Sequence, residues 1–157
     1  MKRIIFVAAG VVFLALLGLT FLGQPSDQQL IKEALEDAVK ASRDGRPGGV
    51  LDNLSGSLQY NGDDVLDRGA IADYVKRAKP DITIVSPTPV IRGDRAIISS
   101  AVDVTMRVGP ASVPMHIDQV EITLARESGV RFGLLPTKVW RIRSVTAKSV
   151  PASSLGY

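Results

Sequence analysis

The stretch AIISSAVDVTMRV (96–108), followed across GPAS (109–112) by VPMHIDQVEITLAR (113–126), decides the fold. In the first run Ala96, Ile98, Ser100, Val102, Val104, Met106 and Val108 occupy every second position. That period of two marks a strand with one face on a core. GPASVP (109–114) reads as the loop to the next strand, which is predicted from Met115 onward. If that strand runs unbroken, His116, Asp118, Val120, Ile122 and Leu124 share one face. His116 is the only histidine in the chain.

Outward from this pair, DITIVSPTPVI (81–91) reads as one strand, Arg92–Arg95 as a tight turn around Gly93, and KVWRIRSVTAK (138–148) as the last strand. Upstream the period changes. In DQQLIKEALEDAVKASRDG (27–45), Leu30, Ile31, Ala34, Leu35, Ala38 and Val39 form one helical stripe. Ser26 and Gln29 stand at capping-box spacing before it. GRPGG (45–49) is expected to be a loop, and a short strand is expected near Leu58–Tyr60. A second helix is predicted in DRGAIADYVKRAKP (67–80), where Ile71, Tyr74, Val75 and Ala78 share a face and Pro80 stops the run. Helices first and long antiparallel strands afterwards predict an α+β domain, its helices packed in the concave face of a curved, mainly antiparallel sheet.

Ahead of the domain, Lys2 and Arg3 precede an uncharged apolar run from Ile4 to Gly23, 20 residues long. That length crosses the ~30 Å hydrocarbon core of a bilayer as a helix. The run ends in Phe-Leu-Gly rather than in the small residues of a cleavage site. Residues 1–23 are therefore read as a transmembrane anchor, with a cleaved signal as the alternative. Residues 24–26 form a short linker, 27–148 the domain, and 149–157 a flexible tail. The basic N-terminus puts the domain on the extracytoplasmic side of the membrane. Signal cleavage would instead release it as a secreted or periplasmic protein.

Composition excludes several chemistries. The chain has no cysteine, hence no disulfide, thiolate metal site, cysteine nucleophile or lipoprotein cysteine. Residues 24–90 carry eight basic against eleven acidic side chains, and 91–157 nine basic against five acidic. The basic residues of the second half stand singly along strands without interleaved aromatics, so no nucleic-acid platform is expected. No glycine-rich turn joins a strand to a helix, and no serine or threonine has an activating neighbour at recognisable spacing. One histidine supplies too few ligands for a metal site, and no cofactor is expected.

The order of elements from 27 to 147 resembles the nuclear transport factor 2-like superfamily. The long first helix, the glycine-rich break, the DRGAIADYVKRA helix, the hairpin across Gly93-Asp94 and the closing KVWRIRSV carry the resemblance. It implies a sheet wrapped around helices as a cone with an open mouth. That superfamily includes ketosteroid isomerases, polyketide-cyclase-like proteins and many domains without catalysis. In an enzyme of this kind His116 would be the base and Asp118 its orienter, with a hydroxyl from Tyr60 or Tyr74. A position just after Pro114, where solvent is near and a single bulge would exchange the faces, supports an exposed or structural pair instead. Tyr60, Tyr74 and Trp140 are expected at the pocket or its rim; packing or a dimer contact also fits Trp140. Three functions follow. A membrane-anchored, non-catalytic binding or assembly domain, with a protein partner or a second copy on its sheet face, comes first. An isomerase, dehydratase or cyclase of a small apolar substrate, and a carrier of an apolar ligand, are the alternatives.

Overall fold

The computed structural model describes residues 25–62, 66–131 and 135–148. The expected anchor and the expected tail lie outside these residues. Among the described residues no helix is long and apolar enough to cross a membrane.

Helix α1 (Asp27–Arg43) starts where the Ser26 hydroxyl accepts the Gln29 amide at 3.3 Å. Its stripe buries Ile31, Ala34, Leu35, Ala38 and Ala41. Contrary to expectation, GRPGG is not all loop. Pro47 opens a short helix α2 (Pro47–Asp52) with Gly48 and Gly49 in its first turn. Proline suits the first helical position, where no amide partner is required. Glycine suits position 49, where a Cβ would lie 2.8 Å from Ala41 Cβ. Close approach of α2 to α1 overrides the low helix propensity of the pair. Strand β1 (Leu54–Tyr60) follows, starting four residues before the expected strand. Helix α3 (Arg68–Ala78) is capped by Asp67, whose carboxylate accepts the amides of Gly69 and Ala70 at 3.1 and 3.0 Å.

The expected single strand over 81–91 is two pieces, β2 (Asp81–Ile84) and β3 (Val90–Arg92). Pro87 and Pro89 lack the amides a ladder needs, which accounts for the break. Strands β4 (Arg95–Val108) and β5 (Ala111–Arg131) form the long hairpin. The expected GPASVP loop contracts to the two residues Gly109 and Pro110, because Val108 pairs with Ala111. Gly109 supplies the positive φ, +60°, that such a tight turn requires. Strand β6 (Leu135–Ala147) closes the sheet in the order β1-β6-β5-β4-β2, with β3 also on β4. Among the described residues only β1 and β6 run parallel. The sheet is therefore mixed but mainly antiparallel, as expected.

Two irregularities in the pairing of β5 shape the concave face. Ser100 pairs with Val120 and Val102 with Ile117, so Asp118 and Gln119 together face Ala101. Thr123 pairs with Ser144 and Leu124 with Ile142, which places a second bulge at Arg143. Ile31, Ile98 and Leu124 are the large side chains fully enclosed between helices and sheet. Burial of each stabilises the fold by roughly 2 kcal/mol.

Candidate functional site

The concave face and the helices enclose a cavity of about 320 Å³. Leu35, Ala38 and Val39 line it from α1, Ile71 and Val75 from α3, and Val102, Ile117, Val120, Ile122 and Val145 from the sheet. Among the described residues no carboxylate, imidazole, amine or guanidinium lines it. Its polar groups are three hydroxyls. Ser42 Oγ donates to the Pro80 carbonyl at 2.8 Å and is thereby occupied. Tyr60 and Tyr74 stand at the rim, half exposed. Tyr74 Oη donates to Met106 Sδ at 2.8 Å, and partial burial raises its pKa above 10, so the phenol stays protonated.

The remaining three candidates lie elsewhere. The bulge at Asp118–Gln119 exchanges the faces of β5, so Ile117 enters the cavity while His116 and Asp118 point to the outer face. The expected alignment of His116 and Asp118 with Val120, Ile122 and Leu124 is therefore corrected. His116 Nδ1 lies 2.5 Å from Asp103 Oδ1, and its Nε2 lies 3.3 Å from Asp118 Oδ1. All three side chains are in solvent, Asp118 at 90% exposure. The Asp103 hydrogen bond is the main cause of a His116 pKa above 6.5, with the charges of both carboxylates adding to it.

Trp140 is buried, but it faces the start of α1 instead of the cavity. Its Nε1 donates to Asp27 Oδ1 at 3.1 Å, and Arg126 bonds the other Asp27 oxygen while lying 5.0 Å over the indole. Asp94 adds a longer contact to Arg126 at 3.6 Å. This cluster clamps α1 to β5 and β6. Sequence reasoning missed it, because Asp27 is 99 residues from Arg126 and looks like an ordinary first-turn acid. Asp103 is a surface charge and the nearer partner of His116. Their pairing follows only from the hairpin register.

The two faces of the sheet thus carry different chemistry. The inner face offers aliphatic surface and two rim phenols. The outer face carries Ile97 between Val90 and Thr123, with Arg92 and Arg95 towards one end and Asp103 with His116 towards the other. Among the described residues no three histidine or acidic side chains are placed to hold a metal ion.

No protein-family model matches the chain, and no curated protein matches it. Solved structures do match in fold. A ketosteroid isomerase-like protein from Erwinia carotovora atroseptica aligns with a TM-score of 0.57 at 14% identity, over 82% of this chain and 99% of that one. The CaMKII hub of S. rosetta aligns with a TM-score of 0.56 at 13% identity, over 80% and 98%. A nuclear transport factor 2-like superfamily protein from Salmonella enterica aligns at 0.53 and 14%, over 83% and 96%. Identities this low establish architecture and leave chemistry to the site. The chain has the nuclear transport factor 2-like fold.

Proposed function

We propose that the chain is a non-catalytic binding domain that holds a small, neutral, apolar ligand in its cone. It is tethered by residues 4–23 on the extracytoplasmic side of a membrane. One observation carries the reading: a cavity of about 320 Å³ lined by aliphatic side chains, with no ionisable group among the described residues except the rim phenols. Such a site favours apolar solutes through the hydrophobic effect and has nothing to abstract a proton or stabilise a developing charge. The position of His116 and Asp118 on the outer face speaks against the isomerase, dehydratase or cyclase alternative.

The test is uptake of an apolar fluorescent probe by the full chain, compared with a Val120→Trp variant that fills the cavity. Uptake should fall at least tenfold in the variant while its circular dichroism stays that of the parent. Equal uptake by both proteins would sink the reading. Intact mass of the chain purified from membranes tests the tether, because signal cleavage would remove the residues before the linker.

A homodimer through the outer face is the second reading, favoured by the exposed Ile97 and by opposite charges at the two ends of that face. A two-fold axis would lay the arginine end of one copy on the Asp103 end of the other. Two of the structural neighbours are by name an association domain and a hub. Light scattering of the parent and of Ile97→Glu distinguishes a dimer that dissociates from a chain that is monomeric in both forms.

A further inference from the structure

The hairpin of β4 and β5 runs on past β2, whose last pairing towards the turn joins Asp81 to Thr105. Beyond it, Met106 pairs with Val113 and Val108 with Ala111, so one face of the projecting hairpin is apolar. Val108 is 61% and Val113 42% exposed. Tyr74, bonded to Met106, joins this surface to the cavity rim.

The ends of α1 and α3 meet beside the same hairpin. The Ser42 hydroxyl reaches the Pro80 carbonyl, and a Cβ on Gly45 would lie 2.9 Å from Lys79 Cε. This junction gathers Lys40, Arg43, Lys76, Arg77 and Lys79, with Arg107 on the hairpin's polar face. All six are exposed, and among the described residues none forms a salt bridge. Among the described residues Asp73 and Asp81 partly offset them, while Glu36, beside Lys40 and Arg43, pairs with Lys32 at 3.7 Å and Asp44 with Arg46 at 3.0 Å. Basic residues in a last helical turn complement the helix dipole, which accounts for each helix taken alone. It does not account for two such ends meeting beside an exposed apolar hairpin.

We infer that this end of the domain docks on an anionic lipid surface. Val108 and Val113 enter the interface, and the basic ring lies against the headgroups. The charge of the ring selects the occupant, because a second copy of this end would bring like charges together. The site does not depend on what the cavity holds. It lies at the opposite end of the domain from the start of α1, where Asp27 joins Arg126 and Trp140. A membrane holding residues 4–23 and the membrane met by the hairpin can therefore be one surface or two facing ones.

Because the chain has no cysteine, Val108→Cys carries a single environment-sensitive fluorophore. The full chain is placed in phosphatidylcholine nanodiscs and mixed with vesicles of phosphatidylglycerol or of phosphatidylcholine. In a parallel arm the nanodisc itself contains phosphatidylglycerol. A blue shift with phosphatidylglycerol in either arm, at least threefold larger than with phosphatidylcholine and lost in added salt, is the expected result; the responding arm identifies one surface or two. The same label at Val85→Cys, also exposed (55%) but beside β2, should not respond. Lys40→Gln combined with Lys76→Gln and Lys79→Gln should abolish the response in a variant that still folds, its Tm lowered only by the lost helix-dipole contacts. Water-like emission at position 108 in every arm overturns the inference. So does an equal response at position 85, or a blue shift that grows with protein concentration in the absence of anionic lipid.

Discussion

Two clusters in this domain join an indole or imidazole nitrogen to carboxylates of other elements or neighbouring positions, with opposite consequences. At the start of α1, Asp27 receives the Trp140 indole and the Arg126 guanidinium in a half-buried setting. On the outer face, Asp103 and Asp118 flank His116 in open solvent. Water screens the second cluster and replaces its hydrogen bonds at little cost; the first has the helix and sheet around it. Burial therefore decides which cluster holds the fold together.

The sharpest way to break this contrast is Trp140→Ala. Loss of the buried ring and of the Asp27 contact should lower unfolding stability by about 3–5 kcal/mol, read from denaturant midpoints. Asp27→Asn keeps the shape but weakens the charge-assisted bonds. A loss of about 1–2 kcal/mol is expected, reduced from the fully buried case because both partners are partly solvated. A change too small to measure would put the outer and inner clusters on the same footing.

The outer cluster is sharpened by titration, since its one imidazole gives a single NMR signal. Asp103→Asn should bring the His116 pKa back towards 6.5, and Asp118→Asn should lower it less, in line with the order of causes. The sign for stability follows. A raised folded-state pKa stabilises the fold below 6.5, where the unfolded imidazole is also protonated, and that stabilisation fades as pH rises through the folded value. With the ring exposed, the pH dependence of Tm should differ only slightly between the parent and His116→Ala. That same substitution should leave probe uptake and Tm near neutral pH unchanged, the smallest effect of the series.

Much of the architecture was legible because its signals are local. The stripe of α1, the Ile71–Val75 face of α3, the alternation of β4 and the turn at Gly93 each lie within one element. GRPGG was misread because contact with Ala41 outweighs local propensity, a long-range fact. The candidate site was legible in part. Tyr60 and Tyr74 lie at the cavity rim, where an apolar ring with a polar tip suits the boundary. His116 and Asp118 were aligned with the wrong neighbours, because a bulge leaves no mark in residue order. The basic ring was hidden for another reason. Its lysines and arginines belong mainly to the half of the chain with an acidic balance, and only folding collects them.

The bulge at Asp118–Gln119 also bears on how the gene can change. Because both residues face Ala101 on the outer side, an in-frame loss of the Gln119 codon would turn two-against-one into one-against-one. Val120 and Ile117 would keep their places over the cavity, and β5 would lose only its kink. A codon lost at Ser100, in the regular ladder beside it, would shift the phase of one arm of β4 and exchange its inner and outer side chains. Length variation within this hairpin is therefore expected to collect at one codon pair. Expression of the Gln119 deletion beside the Ser100 deletion would show it directly, with the first folding and the second not.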